Sequence, residues 1–93
     1  MNPAPVIIYS SPLCGYCWAA KRILQKLNVD FREINCNENP QECAEVRART
    51  GHRTVPMIFV GSHFIGGCDE LRQLVQRDAF LPLLEAHGTR ENT

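Results

Sequence analysis

The chain has 93 residues, enough for one small domain, and its ten basic and ten acidic side chains cancel. Hydrophobic residues at 44 % and charged residues at 22 % are the balance of a globular protein. No charge excess suits a nucleic acid or an anionic membrane, and no apolar run approaches the roughly 20 residues that cross a bilayer.

Met1-Asn2-Pro3-Ala4-Pro5 lacks the charged start and apolar stretch of a signal peptide, so a cytoplasmic location is expected. A single domain is read over 1–93, with 1–5 and 88–93 frayed. Val6-Ile7-Ile8-Tyr9 is apolar throughout, as befits a strand covered on both faces, and Ser10-Ser11-Pro12 ends it. From Gly15 to Leu27 the residues Ala20, Ile23, Leu24 and Leu27 recur at helical spacing, with Asn28 as the stop. Asp30 to Asn35 is read as a second strand by position more than by pattern. Two strands joined by a helix make a right-handed parallel unit. Pro40 then suits the first turn of a second helix, roughly Gln41 to Thr50, ended by Gly51.

Thr54 to Val60 is the strongest strand signal, with Pro56 at its start. Gly61-Ser62 turns the chain back along His63-Phe64-Ile65, and Gly66-Gly67 closes that strand. Leu71, Leu74 and Val75 predict a helix over Asp69 to Arg77, and Phe80, Leu81, Leu83 and Leu84 a last helical segment. The order β-α-β-α-β-β-α predicts an α/β domain, a mixed four-stranded sheet flanked by helices.

The chemistry concentrates at Cys14-Gly15-Tyr16-Cys17. It falls where a strand ends and a helix begins, so unpaired N–H groups and the helix dipole favour a thiolate on Cys14. Cys17, one turn on, is placed to attack a mixed disulfide on Cys14. A zinc site would want a second Cys-x-x-Cys or paired histidines, whereas His52, His63 and His87 are scattered. Five cysteines, an odd number, fit no secreted disulfide framework. Cys36 and Cys43 match no motif and are expected to be buried or incidental thiols.

Cys14-Gly15-Tyr16-Cys17, Thr54-Val55-Pro56 and Gly66-Gly67-Cys68-Asp69, in this order and spacing, resemble the glutaredoxin family of the thioredoxin fold. The resemblance runs from about Val6 to about Leu84 and points to a small bacterial-type dithiol member. It implies glutathione-dependent reduction of protein disulfides and protein–glutathione mixed disulfides, with Cys14 as nucleophile and Cys17 as resolving thiol. It implies glutathione contacts at Tyr16, Arg53, Thr54, Val55, Pro56, Gly67, Cys68 and Asp69, with Pro56 cis. Arg53 would meet the glycine carboxylate, and the start of the third helix the γ-glutamyl carboxylate. Asp69 would take the γ-glutamyl ammonium, and it also reads as a plain helix cap.

Three positions depart from the family pattern. Ser11 stands where a lysine is common, and Cys43 where relatives often offer a polar or basic contact, for which Arg49 could substitute. Gly15 stands where many dithiol members have proline. Small residues there accompany [2Fe–2S] binding, which gives a second expectation. A dimer would hold the cluster through Cys14 of each subunit and two glutathione molecules. Otherwise the protein is expected to be a monomer whose partners are glutathione and oxidised or glutathionylated proteins.

Overall fold

The computed structural model describes residues 4–86. Strand β1 (Val6–Ser10) leads into helix α1 (Gly15–Lys26), then β2 (Phe31–Asn35), α2 (Pro40–Thr50), β3 (Met57–Val60), β4 (His63–Gly66), α3 (Cys68–Gln76) and α4 (Phe80–Ala86). The strands lie in the order β2-β1-β3-β4. β1 pairs parallel with β2 and antiparallel with β3, and β3 pairs antiparallel with β4. This is the mixed four-stranded sheet that the element order predicts.

The unbroken apolar runs of β1 and β3 follow from helices on both faces. Successive side chains of a strand point to opposite faces, and here each face has its own core. Val6, Ile8, Ile58 and Val60 join Ala20, Leu24, Leu71, Phe80 and Leu84 on the side of α1, α3 and α4. Tyr9, Met57 and Phe59 join Ile34, Cys36, Cys43 and Val46 on the side of α2. The first core is the larger.

Register places the site. Tyr9 pairs with Met57 and Ser10 with Asn35, while Ile58 pairs with Gly66. The end of β1, the start of β3 and the end of β4 therefore share one edge of the sheet. That edge gathers the Cys14 loop, the Val55-Pro56 segment and the start of α3.

Three boundaries differ from expectation. β3 begins at Met57, because a proline at position 56 brings no N–H to a ladder. α3 begins at Cys68, one residue early, with Gly67 as its cap. Asn28 is the stop as expected, with a left-handed φ of 57° just beyond α1, which asparagine tolerates at a helix end. The fraying expected over 1–5 does not hold at its described residues: Ala4 is buried and donates from its N–H to the Leu84 carbonyl at 3.0 Å, and the Pro5 carbonyl accepts from Gly61 N–H at 2.8 Å. The tail expected to fray lies outside the described residues.

One expectation is overturned. Cys36 and Cys43 are not free thiols but form a disulfide, with Cα atoms 5.6 Å apart. Seven residues of chain carry Cys43 from the end of β2 around a turn and back into the first turn of α2, over the end of that strand. Nothing in the spacing alone announces this pairing.

Candidate active site

Cys14 caps α1 with extended backbone, φ −100° and ψ 113°. Its Sγ accepts the Cys17 N–H at 3.3 Å and faces the Val55 carbonyl, to which the thiol donates at 3.5 Å. The Cys14 carbonyl takes the Trp18 N–H at 3.3 Å. The sulfur thus sits among the open donors of a helix start, half-buried. Cys17 is fully buried. Burial, and then the hydrogen bond with Cys14, push its thiol up to about 12. The two sulfurs are not bonded to each other.

Beside Cys14 lies a groove of about 280 Å³ lined by Tyr16, His52, Thr54, Val55, Pro56, Gly67, Cys68, Asp69 and Glu70. Tyr16 is exposed along one rim. The Val55–Pro56 peptide bond is cis. A Cβ on Gly67 would stand 3.3 Å from the Pro56 carbonyl and 3.5 Å from His52 Nε2, so glycine lets α3 approach this wall. The Gly67 N–H is already taken by the Glu70 carboxylate at 2.7 Å, a one-sided cap, since glycine has no side chain to return the bond. The open donors of the first turn are therefore those beyond Gly67. Cys68 is buried, and that burial raises its thiol above the usual range. Asp69 is exposed and pairs with Arg72 at 3.7 Å.

Seven of the eight expected glutathione contacts line the groove: Tyr16, Thr54, Val55, Pro56, Gly67, Cys68 and Asp69. Arg53 does not; it is exposed outside the lining. Arg49, expected as a substitute for the Cys43 position, lines a different depression with Tyr9, Gln41, Glu42, Glu45 and Val46. Two lining residues escaped the sequence reading. Glu70 had a signal, an acid three residues after the cap of α3. His52 had none, being set by the turn that leaves α2: Gly51 takes a left-handed φ of 73° and the His52 N–H bonds the Thr50 hydroxyl at 3.1 Å.

A buried thiol beneath a half-exposed one at a helix start, facing the backbone of a cis-proline segment across a groove, is the site of a thiol–disulfide oxidoreductase. The glutaredoxin family model matches residues 6–65. A glutaredoxin of Pseudomonas aeruginosa is 43 % identical over 82 residues, covering 88 % of this chain and 98 % of that protein. Glutaredoxin 3 of Escherichia coli is 40 % identical, covering 88 % and 99 %. The solution structure of a Brucella melitensis glutaredoxin superposes with a TM-score of 0.83 at 37 % identity, covering 97 % of this chain and 98 % of that one. A buckwheat glutaredoxin–glutathione complex superposes at 0.82 with 29 % identity, covering 97 % and 83 %. This chain belongs to the glutaredoxin family, whose members are glutathione-dependent thiol–disulfide oxidoreductases of the thioredoxin fold.

Proposed function

We propose that the protein reduces protein–glutathione mixed disulfides, and secondarily protein disulfides, in the cytoplasm, with glutathione as electron donor. One observation carries the reading: the Cys14 sulfur faces the Val55 carbonyl on the rim of a groove that ends at the start of α3. An extended tripeptide laid along that backbone can pair with Val55 as an added strand. Its carboxylate can meet the first-turn N–H groups of α3, and its ammonium Asp69. Arg53, outside the lining, is left for the far end of the tripeptide or for the protein partner.

The chemistry follows from the two thiols. The Cys14 thiolate attacks the glutathione sulfur of a mixed disulfide; the protein thiolate leaves and takes a proton. Loss of the Cys14 proton also releases the Val55 carbonyl for the incoming peptide. A second glutathione thiolate attacks the Cys14–glutathione disulfide, giving oxidised glutathione and the Cys14 thiolate. Cys17, buried and holding its proton far above neutrality, is a slow competitor in that step. It resolves the mixed disulfides that form when the substrate is an intramolecular protein disulfide. Cys14→Ser abolishes release of glutathione from a glutathionylated peptide, and Cys17→Ser retains it while losing protein-disulfide reduction. Survival of the first activity in Cys14→Ser overturns the reading.

A second reading rests on Gly15, around which a Cβ would meet nothing within 4 Å. The half-exposed Cys14 beside this open turn suits a shared [2Fe–2S] cluster, one Cys14 from each of two copies and two glutathione thiolates completing the four sulfurs. Among the described residues no three His, Cys, Asp or Glu side chains gather into a site of their own. The cluster therefore needs glutathione and a second copy. When bound it would withdraw Cys14 from exchange and supply an electron-transfer or sensing group.

A further inference from the structure

We propose that Cys36 and Cys43 are a second redox site, a dithiol–disulfide couple that controls the glutathione groove through α2. The proposal rests on the glutathione reading of that groove. The structure holds the two pairs in opposite states: Cys14 and Cys17 are free thiols while Cys36 and Cys43 are joined. A disulfide in a protein of the reducing cytoplasm is more often transient or redox-sensing than a permanent staple.

The reason this bond matters is how little else holds α2. Cys43 and Val46 are its only buried residues, and apart from Pro40, Ala44 and Ala48 the rest of its surface is polar. Outside that pair, Tyr9 reaches it with a single long hydrogen bond to Glu42, 3.3 Å. Cys36 is anchored on the other side, its N–H bonded to the Ser10 carbonyl at 2.8 Å at the end of β1. The disulfide therefore ties α2 to the sheet edge that carries the site. From Val46 the connection runs on by hydrogen bonds. The Thr50 hydroxyl donates to the Val46 carbonyl at 2.8 Å and accepts the His52 N–H at 3.1 Å. His52 packs on the Phe64 ring, with centroids 5.4 Å apart, and lines the groove opposite Gly67. Fixing α2 fixes His52 and the Thr54-Val55 wall behind it; freeing α2 loosens them.

The reaction balances with oxidised glutathione as the oxidant. The Cys36 thiolate, whose sulfur belongs to the slightly more exposed of the two residues, attacks one sulfur of glutathione disulfide and expels one glutathione. The Cys43 thiolate attacks the Cys36 sulfur and expels the second. Two protein thiols are oxidised, one glutathione disulfide is reduced, and the two thiol protons leave with the two glutathione molecules. An oxidised pool thereby holds the groove in shape, and a reduced pool relaxes it.

The test uses the full chain with Cys14→Ser and Cys17→Ser, so that the active-site pair is silent. The protein is equilibrated in mixtures of reduced and oxidised glutathione, alkylated and digested with trypsin. The peptide Glu33–Arg47 carries Cys36 and Cys43 and no other cysteine. A midpoint within the range of mixtures supports the proposal. A pair that stays joined, or stays reduced, in every mixture overturns it. S-methylglutathione, which cannot exchange, is then titrated calorimetrically into the joined and reduced forms. Binding at least about fivefold tighter to the joined form, the low end of ordinary coupling between sites, supports the link to the groove. Equal binding overturns the link and leaves the groove reading standing, whereas no binding to either form overturns both. If the double variant does not fold, the unaltered chain serves, since Cys14 and Cys17 fall in the separate peptide Met1–Lys21.

Discussion

At the scale of single residues, Cys17 sets both the chemistry and a pH dependence. Its thiol is ionised with difficulty because it is buried beneath Cys14, so the folded chain keeps that proton until about pH 12. The unfolded chain gives it up near pH 9, the ordinary thiol range. Between these values the folded state binds more protons, so stability falls as pH rises. Cys68 and Tyr9, both raised first by burial, act in the same direction. The reduced protein is therefore expected to lose unfolding free energy with rising pH above about 9. Cys17→Ser should flatten that slope by up to about 1.4 kcal/mol per pH unit, the equivalent of one proton. Urea midpoints of both proteins at pH 8, 9 and 10 measure it; parallel slopes contradict the assignment to Cys17. The sequence displayed the reactive pair plainly, but not this asymmetry. Which of two cysteines is sealed under the other depends on how α1 beds on the sheet, a matter of tertiary packing.

At the scale of elements, legibility tracked the strength of local signals. The limits of α2 came from Pro40 and Gly51, residues whose backbone preferences act without tertiary help. β1 and β3 came from runs of β-branched and aromatic residues. β2 was weaker because its residues face three surroundings: Ile34 the smaller core, Phe31 the larger, and Glu33 a polar cluster. There the Glu33 carboxylate takes hydrogen bonds from Ser10 Oγ and from Lys21 at 2.9 Å. Those two bonds, Ser10 first, hold the carboxyl below the usual range. The Lys21–Glu33 pair keys α1 to β2, and Lys21 also lies 5.0 Å from the ring centre of Trp18 on its own helix. The start of α1 carries the next prediction. Gly15 is the first residue of the helix, the position proline fits best. Cys14, at φ −100° and ψ 113°, already has the extended backbone that a following proline requires, and no atom crowds the Gly15 Cβ position. Gly15→Pro should therefore fold with unchanged or slightly higher thermal stability and keep deglutathionylation. It should lose any visible absorption gained on anaerobic reconstitution with iron, sulfide and glutathione. Equal absorption in both proteins would show that Gly15 does not select for the cluster.

At the scale of the whole molecule, the sheet divides two unequal cores, and this inequality links stability to function. The larger core packs α1, α3 and α4 through Ala20, Leu24, Leu71, Phe80 and Leu84, most of them fully sealed. The smaller one packs α2 through Val46 and the joined cysteines. The difference is legible in the few apolar positions of α2, whereas the compensating disulfide is not, because it depends on two residues meeting across a turn. A helix held by one valine, one covalent bond and one long side-chain hydrogen bond is the element that should open first, because local opening free energy follows the apolar contacts an element makes. The amides of α2 are accordingly expected to exchange with deuterium through a local opening well below the global unfolding free energy. Those of α1 and α3 should exchange only through global unfolding. Reduction of Cys36–Cys43 should lower protection across α2 and at His52 to Val55, and leave α1 unchanged. Native-state exchange at low urea concentrations, read by nuclear magnetic resonance in both redox states, resolves these classes. If α2 merges with the global unfolding isotherm in both states, the two cores melt as one unit. The groove wall would then be as rigid as the rest of the sheet edge, whatever the state of the second cysteine pair.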